Sequence, residues 1–162
     1  MSKTKGVRGG KKEMGVGGVG PMIIIPMIIM LALTIEISYL YRPTFDFSFL
    51  PREVTLALGG LLLLIGIPLW LWSVVTFFMA YQKDRIATTG PYAIMPNPVY
   101  SSWIAFIVPA IALLLNFWLV LATSIVMYLC MLRFIHREDE YMRKKFGKQY
   151  EAYRKKVLIK WL

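Results

Sequence analysis

The segment VTLALGGLLLLIGIPLWLWSVVTFFMAY, residues 54–81, is one long apolar run. Its 28 residues carry no charge. A helix crossing the hydrocarbon core of a bilayer needs roughly 20 predominantly apolar residues. The run is too long for one upright span and too short for two, so a single tilted or projecting membrane helix is expected. Pro68 should kink it, and Gly59, Gly60 and Gly66 leave room for close helix contact. Outward from this run, three more apolar segments follow the same logic, at residues 22–40, 100–115 and 117–134. Asn116 and its immediate neighbours alone separate the last two, which must form a tight helical hairpin, with a bend at Pro109. The expected fold is all-α: a polytopic membrane protein with about four transmembrane helices and a C-terminal cytoplasmic or interfacial helix.

Composition agrees. Of 162 residues, 57% are hydrophobic and 17% charged, with a mean hydropathy of +0.57. One soluble core of this size could not hide so much apolar surface. The net charge of +10 is no nucleic-acid footprint, because the basic residues flank apolar runs rather than forming a stripe. Cys130 is the only cysteine, which excludes an intramolecular disulfide and a thiolate metal cluster. No Walker loop, dinucleotide-binding glycine motif, HExxH or paired metal-ligand histidines occur, so neither a metal nor a nucleic-acid partner is expected.

Residues 1–20 combine Lys3, Lys5, Arg8, Lys11 and Lys12 with seven glycines and read as a flexible basic tail. A basic start before an apolar run also resembles a secretory signal. The run at 21–41 is long enough to span, however, and ends without a small-residue cleavage site. It is therefore expected to be retained, and residues 21–162 to form a single membrane domain. All of the 19 Lys and Arg except Arg42 and Arg52 fall in the tail, in the segment 81–97 or beyond residue 132. Four spans put those three regions on one side, and the excess of positive charge makes that side cytoplasmic. Both termini are then cytoplasmic.

The segment Thr88–Tyr100 holds Gly90, Pro91, Pro96 and Pro98, which fix a non-helical path and free backbone groups to face a polar ligand. A rigid turn between spans would read the same way. After the fourth run come Glu138, Asp139 and Glu140, where consecutive carboxylates cannot share one helix face. They fit either hydrogen bonding to a diol or ammonium ligand, or a solvated patch paired with Arg143, Lys144 and Lys145. Further along, Met142, Phe146, Tyr150, Tyr153 and Val157 recur at helical spacing, so this stretch should pack on the loop or on headgroups. His136, the one histidine, suits a snorkelling interfacial position better than a catalytic one. Glu36, within the first run, is either functional or hydrated near the outer interface. The tyrosines read mostly as interfacial anchors and core fillers rather than as a cation cage.

Taken together, the two clusters resemble the integral-membrane methyltransferases related to isoprenylcysteine carboxyl methyltransferase and the phospholipid N-methyltransferases. The first element stands here as Gly90-Pro91-Tyr92 and Pro96-Asn97-Pro98-Val99-Tyr100. The second stands as Glu138-Asp139, Phe146-Gly147, Tyr150, Tyr153 and Val157. The similarity runs from about Thr88 to Val157, with both blocks in order around a helical hairpin. Pro96 replaces the usual arginine, Asn97 stands where many members have histidine, and Asp139 is shorter than the usual second glutamate. Asparagine does not titrate near neutral pH, so a general base at position 97 is excluded while ligand contact is not.

The resemblance implies S-adenosylmethionine-dependent methyl transfer to a lipophilic acceptor arriving from the bilayer at the cytoplasmic face. A prenylcysteine carboxylate or a phospholipid amine would be such an acceptor. It implies a cosubstrate site formed by Thr89, Gly90, Pro91, Tyr92, Asn97, Pro98, Glu138 and Asp139. Asn97, Tyr92 and Tyr100 would position the cosubstrate and Glu138 would bind its ribose or amino group, while the place of Arg137 and Arg133 at the membrane edge suggests that one of them holds an anionic acceptor. Two other readings stand beside it: an NADPH-dependent reductase resembling the sterol reductases, and a non-catalytic membrane subunit. The glycines of the second run would also permit a homo-oligomer through that helix.

Overall fold

Pro21 stands in the first turn of α1, Gly20–Leu40, where a missing N–H costs nothing and a fixed φ favours the helix. The computed structural model describes residues 19–160, so nearly all of the basic tail lies outside the described residues. α2, Arg52–Gln82, has 31 residues and runs through Pro68 without interruption. At 1.5 Å per residue it is about 46 Å long, well beyond a hydrocarbon core of roughly 30 Å, so it must tilt or project. A four-residue helix, α3 (Pro91–Ile94), precedes a third long rod, Pro98–Leu115. That rod is α4 (Pro98–Ser102), a π-helical turn (Trp103–Ile107) and α5 (Val108–Leu115). The Val108 N–H reaches back to the Trp103 carbonyl, so the ladder widens just before Pro109, which has no N–H to give. A short 3₁₀ turn (Trp118–Val120) leads into α6, Leu121–Phe146, and Gly147 separates it from α7, Lys148–Lys156.

Four of these helices are long and apolar enough to cross a membrane, as expected. Their buried residues form narrow seams, and many large apolar side chains outside the seams are exposed, as lipid requires. On α1 the seam is Ile23, Met27, Thr34 and Ser38, set against Thr123, Met127 and Met131 of α6. Thr34 and Thr123 share a hydrogen bond of 3.2 Å across it. α2 packs instead on the π turn, α4 and α5. A Cβ at Gly59 would lie 2.8 Å from Leu114 Cγ, and one at Gly66 would lie 2.7 Å from Phe106 Cβ. These two glycines let backbones approach inside the chain, and Gly60 alone faces open space.

The hairpin expected at Asn116 is present, with Asn116 in the left-handed conformation that closes α5 (φ 67°). The loop between α1 and α2 is more than a plain connection. It seals this end by backbone hydrogen bonds from Phe47 N to Asn116 O (3.2 Å) and from Trp118 N to Phe45 O (3.0 Å). Arg52 donates to the terminal carbonyls of Leu113 (3.1 Å) and Leu114 (2.6 Å), and Arg42 lies 4.5 Å from the Phe117 ring centroid. The two basic residues of this end are thus both spent on the fold.

At the opposite end, α6 does not stop where its apolar run stops. It continues as one helix to Phe146, so the acidic cluster rides on the same rod as the fourth span. The chain reverses at Gly147 (φ 52°), and α7 folds back. The apolar stripe read as one helix is therefore divided between two. Tyr150, Tyr153 and Val157 are buried against Met142, Phe146 and Ile86, so the stripe covers the loop after α2.

Candidate functional site

The end of α2, the start of α4, the extension of α6 and the returned α7 enclose a cavity of about 790 Å³. Pockets for small ligands are typically about 300–1,000 Å³. Six of the nine tyrosines line it: Tyr81, Tyr92, Tyr100, Tyr141, Tyr150 and Tyr153. Anchoring and filling therefore do not describe most of them. They come from three regions far apart in sequence, so no local spacing announces the convergence.

Two hydrogen bonds fix the returned segment to the proline loop. The Tyr153 hydroxyl donates to the Tyr92 carbonyl (2.9 Å), and the Ile159 N–H donates to the Ile94 carbonyl (2.9 Å). Burial is the main reason that the phenols of Tyr92 and Tyr150 titrate well above the usual range, and it pushes Tyr153 up to about 12. The charge of Glu138 adds to the effect on Tyr92, and a hydrogen bond to Asp139 to that on Tyr150. These groups stay neutral at physiological pH and act as donors and aromatic faces, not as bases.

The neighbouring carboxylates have different fates. Asp139 accepts a hydrogen bond from the Tyr150 hydroxyl and lies 3.4 Å from the Arg154 guanidinium, so both its oxygens hold α7. Glu140 is exposed and pairs with Lys144 at 3.8 Å, as a solvated patch would. Glu138 lines the cavity, and its Oε2 is buried without a hydrogen-bond partner. A buried carboxylate oxygen lacking a donor is costly. A ligand with an ammonium, hydroxyl or amide donor would relieve it.

Asn97 is the residue before α4, yet its side chain makes no capping bond and lines the cavity. Its carbonyl is occupied, accepting from the Ser101 N–H and hydroxyl, both at 3.0 Å. Tyr92, Asn97, Tyr100, Glu138 and Asp139 are therefore brought together around one space. Thr89, Gly90, Pro91, Pro98 and Arg137 are not among its lining residues. Pro91 and Pro98 are fully buried, and they open the short helices that aim Tyr92 and Tyr100. Gly90 (φ 57°) fits against the Trp72 indole, which a Cβ would approach to 2.9 Å. Arg137 leans the other way, with its guanidinium 5.7 Å from the Phe134 ring centroid and 3.8 Å from Met22 Sδ. Arg133 also lies over Phe134, and His136 is exposed away from the cavity. The cations that do line the cavity are Arg85 and Lys145, and Lys145 pairs with Asp84. Neither cation had a motif to mark it.

The lining also reaches the membrane surface of the protein. Ile24 of α1 and Phe78 of α2 face the cavity while remaining 41% and 48% exposed. α1 packs on α6 and α2 on the third rod, and neither Ile24 nor Phe78 belongs to the buried residues of those contacts. A phospholipid methyltransferase family model matches residues 54–149, which takes in the seam of α2, the proline loop and the acidic end of α6. No curated protein and no solved structure matches the chain.

Proposed function

The chain belongs to the phospholipid methyltransferase family, and from that membership we propose that it transfers a methyl group from S-adenosylmethionine to a lipophilic acceptor at the cytoplasmic membrane face. The observation that carries the reading is the partnerless Glu138 oxygen in a tyrosine-lined cavity. A carboxylate takes the hydrogen-bond donors of a ribose or an ammonium, and aromatic faces attract a sulfonium as they attract other onium cations. The residues present therefore fit this cosubstrate.

When bound, S-adenosylmethionine supplies an activated methyl group on its sulfonium sulfur. In-line displacement from sulfonium calls for alignment and exclusion of water more than for acid–base groups. Glu138 anchors the polar end of the cosubstrate, the Asn97 amide supplies a donor and an acceptor, and Tyr92 and Tyr100 set the aromatic walls. Asp139 positions rather than binds, by holding α7 over the cavity through Tyr150 and Arg154. The acceptor enters between Ile24 and Phe78, its apolar tail remaining in lipid. An anionic acceptor would meet Arg85, which lines the cavity, in place of Arg137. The distribution of Lys and Arg supports a cytoplasmic location for this end.

Calorimetric titration of the purified chain with S-adenosylhomocysteine, with NADPH in parallel, tests the proposal. Binding of the first and not the second is expected. NADPH binding alone would replace methyl transfer by reduction, and binding of neither by folded protein would leave a non-catalytic subunit.

A further inference from the structure

On the outer side of α7 a second, shallower cavity of about 350 Å³ is lined by Arg143, Glu151, Arg154, Lys155 and Lys160. Four cations face one carboxylate. Arg154 has a partner in Asp139, but Arg143, Lys155 and Lys160 take part in no ion pair among the described residues. Gathering like charges in a concave site raises the potential there and favours an anion.

Beside this cluster stands Leu158, 78% exposed and the most exposed large apolar side chain among the described residues. In the chain it falls between Lys155 and Lys160, so the exposed apolar residue has a cation on either side in sequence. After Gly147 α7 folds back on α6, and the Ile159-to-Ile94 hydrogen bond (2.9 Å) ties the segment after it to the loop that ends at Pro98. Pro98 begins the third spanning rod, and Ile94 is itself 43% exposed. An apolar tip with flanking lysines at the start of a membrane helix matches the pattern by which proteins engage headgroups and the acyl boundary together.

We propose that the α6–α7 edge is a binding site for one anionic phospholipid of the surrounding leaflet, with the lipid phosphate against Arg143, Lys155 and Lys160 and its chain along Leu158. The site is separate from the tyrosine-lined cavity and does not depend on its chemistry. One ion pair, Arg154–Asp139, links the two.

The test uses the full chain in neutral detergent. Lipid retention is measured by native mass spectrometry during titration with phosphatidylglycerol, phosphatidylcholine or phosphatidylglycerol plus excess inorganic phosphate. One retained phosphatidylglycerol is expected, with no retained phosphatidylcholine and no displacement by phosphate. The double variant Lys155→Gln/Lys160→Gln should lose affinity on the order of tenfold, given the attraction that each lysine near an anionic surface contributes. A control, Lys83→Gln/Lys148→Gln, removes equal charge outside the cluster and should bind like the parent. Equal retention of both lipids, displacement by phosphate, or equal loss in both variants would overturn the proposal.

Discussion

Glu138→Gln should make the protein more stable and its ligand weaker, two effects of opposite sign from one atom. Oε2 of Glu138 is buried without a donor. An unsatisfied buried polar group costs about 1–3 kcal/mol, and more if charged. Glutamine keeps the shape and removes the charge, so a gain of about 1 kcal/mol is expected. For a chain of this size that is roughly 2–4 °C in Tm. A hydrogen bond from a ligand to a charged group contributes about 1.5–3 kcal/mol, so its loss should weaken S-adenosylhomocysteine binding by about 10- to 100-fold. Thermal unfolding in detergent and calorimetric titration on the same preparations read both quantities. A lower Tm with unchanged affinity would refute the reasoning and make Glu138 a structural residue whose partner is elsewhere in the fold.

Asp139→Asn should act the other way, releasing α7: cleavage by a protease near Gly147 should accelerate and Tm should fall by several degrees, while ligand affinity falls less than in Glu138→Gln. If the α7 segment stays as protected as in the parent, the clamp through Tyr150 and Arg154 is not what holds it. Gly66→Ala places a Cβ 2.7 Å from Phe106 Cβ and should cost about 1–3 kcal/mol. Gly60→Ala, inside α2 where the added Cβ meets nothing, should gain about 0.5–1 kcal/mol in the same denaturation series. Tyr153 has a folded-state pKa raised from 10.0 to about 12, so its contribution to stability is complete below pH 10 and lost as pH rises toward 12. Tm measured across that window should drop less steeply for Tyr153→Phe than for the parent, and identical slopes would remove Tyr153 as the cause.

The sites read from sequence were legible to different depths. Gly90-Pro91-Tyr92 and Glu138-Asp139 stood out only together, in order around the hairpin, because alone the first reads equally as a rigid turn and the second as a solvated patch. Their division of labour did not. Consecutive residues on a helix point about 100° apart, so which carboxylate meets α7 and which meets the cavity depends on how α6 is rotated against α1. The same rotation turns Arg137 toward Phe134 and Met22 and leaves Lys145 at the cavity beside Asp84. Of the three α2 glycines read as places of close approach, Gly59 and Gly66 are so, against the third rod, and Gly60 is not, because packing leaves it outside the contact.

The four long apolar helices, the hairpin at Asn116 and the charge difference between the two ends are all local properties of the chain. Each follows from the length of an apolar run, the local chemistry of a turn or a count of charges, and none needs a distant residue. Packing alone brings six tyrosines from separate segments to one cavity with Glu138 and folds α7 back over it at Gly147. Those outcomes depend on where the ends of several helices meet. That is set by the seams along their whole lengths, which no short window of sequence contains.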